Sequence, residues 1–553
     1  MTKTWRAAAL VAAAGLLTAA GGGSTALASS GAPSQASSPG PATFGAQAYS
    51  PMRITAAHQI TADDPVPSRT FLDPYILVDP DNSKVMVAAT VEARSRVCYL
   101  VRSTDGGVTW ATTANKPTIP SYPFCFVPSG GITESPIAWG RNHTLYYGLV
   151  GYSDQDGGAT SRGNLSAMVA RSTDLGNTWT TTLVANTRGK TGTAIEADAP
   201  VVSIAVDTSG PKDTVYLGYR QGFPNQPTAS RGAMVSVSTD GGTTFAPPVN
   251  LNNSSSTTFT DTKTGKTQPI YYGTPHVAAG TKGTVWAVAG GSAPTGTTGA
   301  PPQPVFVGAS SDHGKTWTMR AVTPAGASAS AMVWTPQGGP QGTLLISYQY
   351  KVGQTQGNTD IYLQRSTDGG KTWSNPARLN DDNPDNQTYH LFPTMSAAPD
   401  GRIDVVWYDF RNAQSFADDV YYTYSTDHGA TWAPNIRATD QLVDRNLGLN
   451  NNTDVRQPPT VGSSNQAAVV GWSDTRLGDQ QTDTQDNFAS VVQFKAFTTS
   501  SGNTVLKYLA AAAAGLAIAG LIVVLLALRR RRRGRIEPPP APTDRQRQSV
   551  GVS

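Results

Sequence analysis

Two short stretches place an indole, a carboxylate and a guanidinium at alternate positions: Trp407-Tyr408-Asp409-Phe410-Arg411 and Trp472-Ser473-Asp474-Thr475-Arg476. In a strand, alternate side chains share one face, so each trio projects together. An indole can cover the apolar face of a sugar ring, and an Asp/Arg fork can hold hydroxyls or a carboxylate. The same groups can equally well pin one strand to its neighbour. Tyr152-Ser153-Asp154 and Tyr219-Arg220 repeat the pattern in part. A second group of acids precedes prolines, in Asp73-Pro74, Glu134-Ser135-Pro136 and Asp198-Ala199-Pro200, with Glu196 close by. Paired carboxylates can share acid/base work, bind a cation or simply cap turns. The oxygen-rich stretches Asp154–Gly157 and Asp381–Asn386 are candidates for Ca²⁺, but neither has a complete ligand pattern, so no metal site is assigned. His276 and His390 read as polar lining.

What must position these groups is read from a phrase that recurs six times: Ser103–Trp110 (STDGGVTW), Ser172–Trp179 (STDLGNTW), Ser238–Phe245 (STDGGTTF), Ser310–Trp317 (SSDHGKTW), Ser366–Trp373 (STDGGKTW) and Ser425–Trp432 (STDHGATW). A repeated unit of this kind implies a repeat architecture. In each copy the Asp can accept bonds from backbone N–H groups a few residues on, and the following Gly permits φ > 0. The Thr and the aromatic residue then start a new strand. Three strand-like runs precede each turn, such as Tyr75–Val78, Val85–Val91 and Val97–Arg102 before the first, and Thr394–Ala398, Ile403–Tyr408 and Val420–Ser425 before the sixth. A seventh set, Pro459–Gly462, Ala467–Trp472 and Ala489–Phe497, has no turn after it.

The six turns resemble the Asp box, or BNR repeat, of the sialidase superfamily, over roughly residues 52–498. The resemblance implies an all-β fold, a single β-propeller in which each box joins the third and fourth strands of a blade. It also implies that Asp105, Asp174, Asp240, Asp312, Asp368 and Asp427 are scaffold. Seven strand sets with six boxes predict seven blades. The last would be completed by the N-terminal segment Met52–Ile60, which removes a free sheet edge. Six blades, the sialidase number, is the alternative. Because boxes lie on one face of such a ring, ligands are expected on the other, where the second-to-third-strand loops and blade connectors lie.

The chain ends read as targeting segments. Residues 1–28 have the form of a signal peptide, with Lys3 and Arg6 before an apolar run and Ala26-Leu27-Ala28 at its end. Residues 29–50 are rich in Ser, Gly, Pro and Ala, as a flexible linker is. The propeller is assigned to 51–498 and a juxtamembrane linker to 499–507. Tyr508–Leu528 is an uncharged apolar run long enough for one transmembrane helix, and the basic, Pro-containing tail 529–553 follows. The Arg cluster after it predicts a single-pass cell-membrane protein with an extracellular propeller and a cytoplasmic tail. The chain has a formal charge of +4. Residues 1–28 carry two basic groups, and 505–553 carry nine basic and two acidic ones, so the remainder is acidic by about five and is no nucleic-acid binder. Export would let Cys98 and Cys125 form a disulfide, tying the third strand of blade 1 to the connector into blade 2.

Sialidases of the resembled family use an Arg triad, an Asp acid/base and a Tyr–Glu pair. Their first Arg precedes Ile-Pro in the first strand of blade 1. Here that stretch reads Phe71-Leu72-Asp73-Pro74, with Leu72 in the Arg position. The only Glu residues between 29 and 504 are Glu92, Glu134 and Glu196, none with an assignable Tyr partner. Arg94, Arg220, Arg411, Arg456 and Arg476 could still converge. Catalytic residues are therefore unassigned. The expectation is a cell-surface propeller that binds glycans or protein partners, the alternative an exo-acting glycoside hydrolase of sialidase type. The candidate ligand-binding set is Asp409, Arg411, Asp474, Arg476, Glu134, Glu196, Asp198, Trp407 and Trp472, with no resident cofactor beyond the possible Ca²⁺.

Overall fold

Seven runs of seven or eight residues form the second strands of seven antiparallel sheets. They are Met86–Glu92, Leu145–Tyr152, Thr214–Gln221, Val285–Ser292, Thr343–Tyr350, Ile403–Asp409 and Ala467–Asp474. Most read as nearly unbroken apolar runs rather than alternating ones, because both faces of each sheet are covered by neighbouring sheets. The computed structural model describes residues 40–497 apart from 65–68, 126–135, 154–164, 187–201, 222–231, 255–257, 261, 294–300, 352–358, 385–387, 414–415, 449–457 and 479–483. The expected signal peptide and transmembrane run lie outside the described residues. Among the described residues no helix is long and apolar enough to cross a membrane.

Each sheet is one blade of a closed ring, and seven apolar clusters occupy the seven spaces between adjacent blades. Blade 1 runs Phe71–Val78, Met86–Glu92, Val97–Ser103 and Ala111–Thr112, in that order across the sheet. Blade 6 runs His390–Ala397, Ile403–Asp409, Ala417–Ser425 and Ile436–Arg437. Blade 7 takes Thr460–Ser463, Ala467–Asp474 and Asp486–Gln493 from the C-terminal side. Its outer positions are filled by Arg53–Ile54 and His58–Gln59, which pair antiparallel with the 486–493 strand. The N-terminal closure expected from Met52–Ile60 is therefore present, and the ring has seven blades rather than six. At the closure Gly462 is needed: a Cβ there would lie 2.7 Å from Leu77 Cα and 2.9 Å from Ile76 O.

The Asp73-Pro74 pair in the first strand of blade 1 and Phe392-Pro393 in that of blade 6 sit at bulges. The pairing register slips between Leu72 and Tyr75 and again between Leu391 and Thr394, where Pro cannot donate to the ladder. Cys98 and Cys125 are bonded, and Phe124–Cys125 pairs with Gly151–Tyr152 of blade 2, so the bridge joins blades 1 and 2 as expected. Residues 40–50 differ from the linker expectation. Gly40–Pro41 add parallel to Ala377–Arg378, and Phe44 bridges to Trp432. The strap continues past the sixth box, where Gln47 Oε1 accepts the Thr426 N–H and Tyr49 packs edge-on against Phe494. Small residues such as Ala42, nearly buried, let this strap lie close to the blades.

Candidate functional site

The six boxes share one hydrogen-bond pattern, and it consumes their polar atoms. In the fourth, Ser310 Oγ donates to Asp312 Oδ1 at 2.7 Å and accepts the Gly314 N–H at 3.0 Å. Asp312 also accepts the Lys315 and Thr316 N–H groups and the Thr316 hydroxyl at 2.6 Å. The same donors recur around Asp105, Asp174, Asp240, Asp368 and Asp427. At Asp240 and Asp368 burial acts to raise the pKa, but the Thr hydroxyl and backbone bonds outweigh it and hold the group at about 2. The box Gly adopts a left-handed φ and packs on the preceding blade, as Gly429 does on Leu345. The boxes are turn scaffolds.

The Trp-x-Asp-x-Arg trios lie on the opposite face, at the ends of the second strands of blades 6 and 7. Trp407 and Trp472 are fully buried, and each indole N–H donates to the Asp of its own trio, at 2.9 Å to Asp409 and 2.8 Å to Asp474. Their ring faces are covered by blade–blade packing, so neither is a platform for a sugar. Asp409 also accepts the Arg411 backbone N–H and is forked by the Arg411 guanidinium, which reaches Asp381 at 2.7 Å and lies 4.2 Å over the Tyr421 ring. Arg476 does the same with Asp474, Asp440 and the Phe488 ring. Each trio is thus a clamp. It buries an Asp under an indole and uses the Arg to tie its loop to the connector from the preceding blade. For Arg411, burial acts to lower the pKa, while Asp409 and Asp381 outweigh it and raise it.

Next to the first clamp is a polar cluster that sequence patterns did not reveal as a unit. His390 is 1% exposed, with Nε2 3.4 Å from Asp382 and 3.5 Å from Asp409, and Nδ1 2.9 Å from the Thr359 carbonyl. Arg378 pairs with both Asp360 and Asp382. Burial acts to raise the Asp382 carboxyl, but His390, Asn380 and Arg378 together hold it well below the usual range. Asp360, Asp382 and His390 are close enough to share a cation. Arg378 lies 2.8 Å and Arg411 3.9 Å from Asp382 Oδ1, however, so fixed positive charge already faces the cluster, while Asp382 Oδ2 is buried without a hydrogen-bond partner. Asp381 likewise faces Arg411 and the Asn435 backbone, which leaves the Ca²⁺ reading of this stretch with its acids turned to other donors. His390 is therefore a core group in an ion network.

Glu134, Glu196, Asp198, Asp154 and Arg456 lie outside the described residues. Of the sialidase positions, Leu72 is fully buried. Glu92 caps a turn, accepting the Thr70, Arg94 and Ser95 N–H groups. Burial acts to raise its pKa, and these bonds outweigh it and lower it. Arg411 and Arg476 are held in their own clamps rather than converging. On the box face a groove of about 700 Å³ lies between blades 1 and 2, where His143 Nδ1 meets Asp79 beside Arg102, Trp110 and Asp174.

Residues 153–406 match a family model described as a BNR repeat-like domain. With six boxed turns in a closed ring of seven sheets, the chain folds as a seven-bladed β-propeller, and its residues 153–406 are similar to the BNR repeat-like family. No curated protein matches it in sequence. Solved structures similar to it include an α-L-arabinofuranosidase of Fusarium graminearum at 18% identity, covering 64% of this chain and 92% of that one with a TM-score of 0.38. A Hadza microbial sialidase is 15% identical over 61% of this chain and 63% of its own, TM-score 0.37. A protein of unknown function from Dyadobacter fermentans is 14% identical over 68% and 100%, TM-score 0.41. Likeness at this level carries nothing about chemistry.

Proposed function

We propose that this is an exported, membrane-anchored propeller that binds glycans or protein partners on the face opposite its Asp boxes. The observation that carries the reading is the inequality of the two faces. On the box face the third and fourth strands are joined by compact turns that satisfy their own polar atoms. On the other face the strand ends are far apart in sequence: Tyr152 connects to Ser166, Gln221 to Gly232, Ser292 to Val305, Tyr350 to Asp360 and Asp474 to Asp486. A rigid ring presenting long connections on one side is the usual arrangement for recognition. Asp409, Arg411, Asp474 and Arg476 of that face are committed to clamps and Glu92 to a turn cap, which favours binding over turnover at these positions.

Export is supported by the Cys98–Cys125 bond, since disulfides persist in oxidising compartments. Anchoring is supported by the apolar run 508–528 and the Arg cluster that follows it. The test is a glycan array on the 29–498 fragment, run beside a fluorogenic sialoside assay. Saturable binding without hydrolysis is the expected result. Sustained sialoside turnover, lost on changing Glu134 or Glu196 to Gln, would replace this reading with the hydrolase.

A further inference from the structure

The central channel opens on the box face into a cavity of about 230 Å³, framed by the ends of the first strands. Two indoles line it, Trp139 of blade 2 and Trp334 of blade 5, together with the hydroxyl-bearing Thr335, Ser396 and Ser463. Prolines from three blades, Pro80, Pro336 and Pro399, complete the rim, and none of the described lining residues is charged. Trp334 is held in place: its N–H donates to the Gln341 carbonyl at 3.1 Å, and it stacks on Trp286 with centroids 5.9 Å apart. The Trp139 N–H is buried and has no acceptor.

We propose that this mouth is a second ligand site, distinct from the face assigned above, and that it takes one ring of a neutral saccharide. The match is chemical. A pyranose or furanose ring has apolar C–H faces for flat indoles and hydroxyls for the Ser and Thr oxygens. An uncharged lining offers nothing to a carboxylated or sulfated sugar, and desolvating such a charge there would be unfavourable. The cavity has room for about one ring rather than an extended chain. The site would let the propeller hold a neutral glycan end at one mouth while its other face engages a different ligand.

The test is saturation-transfer NMR on the full-length protein in detergent micelles. The probes are the methyl glycosides of glucose, galactose and arabinose, with glucuronic acid and a Pro-Pro dipeptide as controls. At least one neutral glycoside should show transfer from indole protons and saturate in the millimolar range, while glucuronic acid shows none. Ser396→Leu, which fills the cavity without removing a core side chain, should weaken binding at least tenfold with an unchanged melting temperature. Trp139→Leu, which removes the indole face, should weaken it several-fold. Absence of transfer from every neutral glycoside overturns the proposal, as does unchanged binding in Ser396→Leu or preference for the dipeptide. Glycan-array binding lost through loop changes on the opposite face would leave these outcomes untouched, so the two readings fail separately.

Discussion

Replacing Arg402 by Met should weaken the join between blades 6 and 7 by a large amount for one side chain. Arg402 and Asp404 are both fully buried, linked at 2.9 Å, and the same guanidinium donates to the Ser464 and Ala467 carbonyls of blade 7. Its plane lies 4.0 Å over the Phe494 ring. Asp404 in turn accepts the Tyr422 and Ser463 hydroxyls. Met fills similar volume, so little of the loss is packing. What remains is a buried carboxylate without its counter-charge and the Ser464 carbonyl without the Arg402 donor, while the Ala467 carbonyl keeps the Ser464 N–H. Breaking one side of such a pair costs roughly 3–5 kcal/mol. With unfolding entropy of about 2.1 cal/mol/K per residue, a propeller of roughly 450 residues loses about 3–5 °C in melting temperature. The assay is thermal and urea unfolding of the single variant and of Arg402→Met with Asp404→Asn, in which the charge is gone but an acceptor for Tyr422 stays. The double variant should recover at least half of the loss. A single variant within about 1 °C of the parent, or a double variant worse than the single, would refute the claim that charge balance holds this junction.

The remaining predictions address the turns, the closure and the bridge. Because the box carboxylates have lowered folded pKa values, about 2 at Asp240 and Asp368, their stabilisation is present above about pH 4 and is lost as pH falls toward 2. Melting temperature followed across that window should drop, and Asp240→Asn should flatten part of the drop. Asp486 behaves oppositely: burial raises it to about 6, only partly offset by bonds from Thr61 and Gln59. It lowers stability as pH rises from about 4 through 6. Asp486→Asn should therefore stabilise the protein at pH 7 by up to about 3 kcal/mol, with no gain near pH 4. A chain lacking residues 40–60 should fail to form a monomeric closed ring, seen as aggregation or strand exchange by size-exclusion chromatography, because the edge at 486–493 is left open. Cys98→Ser should cost roughly 3 kcal/mol in denaturant unfolding, as expected for opening a loop with a sequence separation of 27.

Much of the architecture could be read in advance because its signals are local. A turn that satisfies itself with Ser, Asp, Gly and Thr within eight residues looks the same wherever it occurs, so six turns could be recognised. The unboxed seventh set asked for a partner strand, and Met52–Ile60 was the matching segment left over. The candidate site was less legible. The alternation of Trp407, Asp409 and Arg411 was correct, but alternation does not say whether an indole faces solvent or the next blade. The linker reading of residues 40–50 erred for a related reason: a composition of Ser, Gly, Pro and Ala suits both a tether and a strap lying flat on a sheet edge. His390 lacked any pattern, since its neighbours Asp360, Asp382 and Asp409 come from separate strands and a connector of two blades.

The sequence by itself determined the repeat, favoured seven blades over six with Met52–Ile60 as the closing strand, and made the pairing of the two cysteines the expectation, all of which rest on short-range chemistry or simple counting. Only the tertiary structure decided that the Trp-x-Asp-x-Arg trios are clamps, that His390 sits in an ion network and that two distant tryptophans share one channel mouth. The reason is that burial and charge pairing in a ring are set by the neighbouring blade, whose contacting residues lie dozens of positions away along the chain.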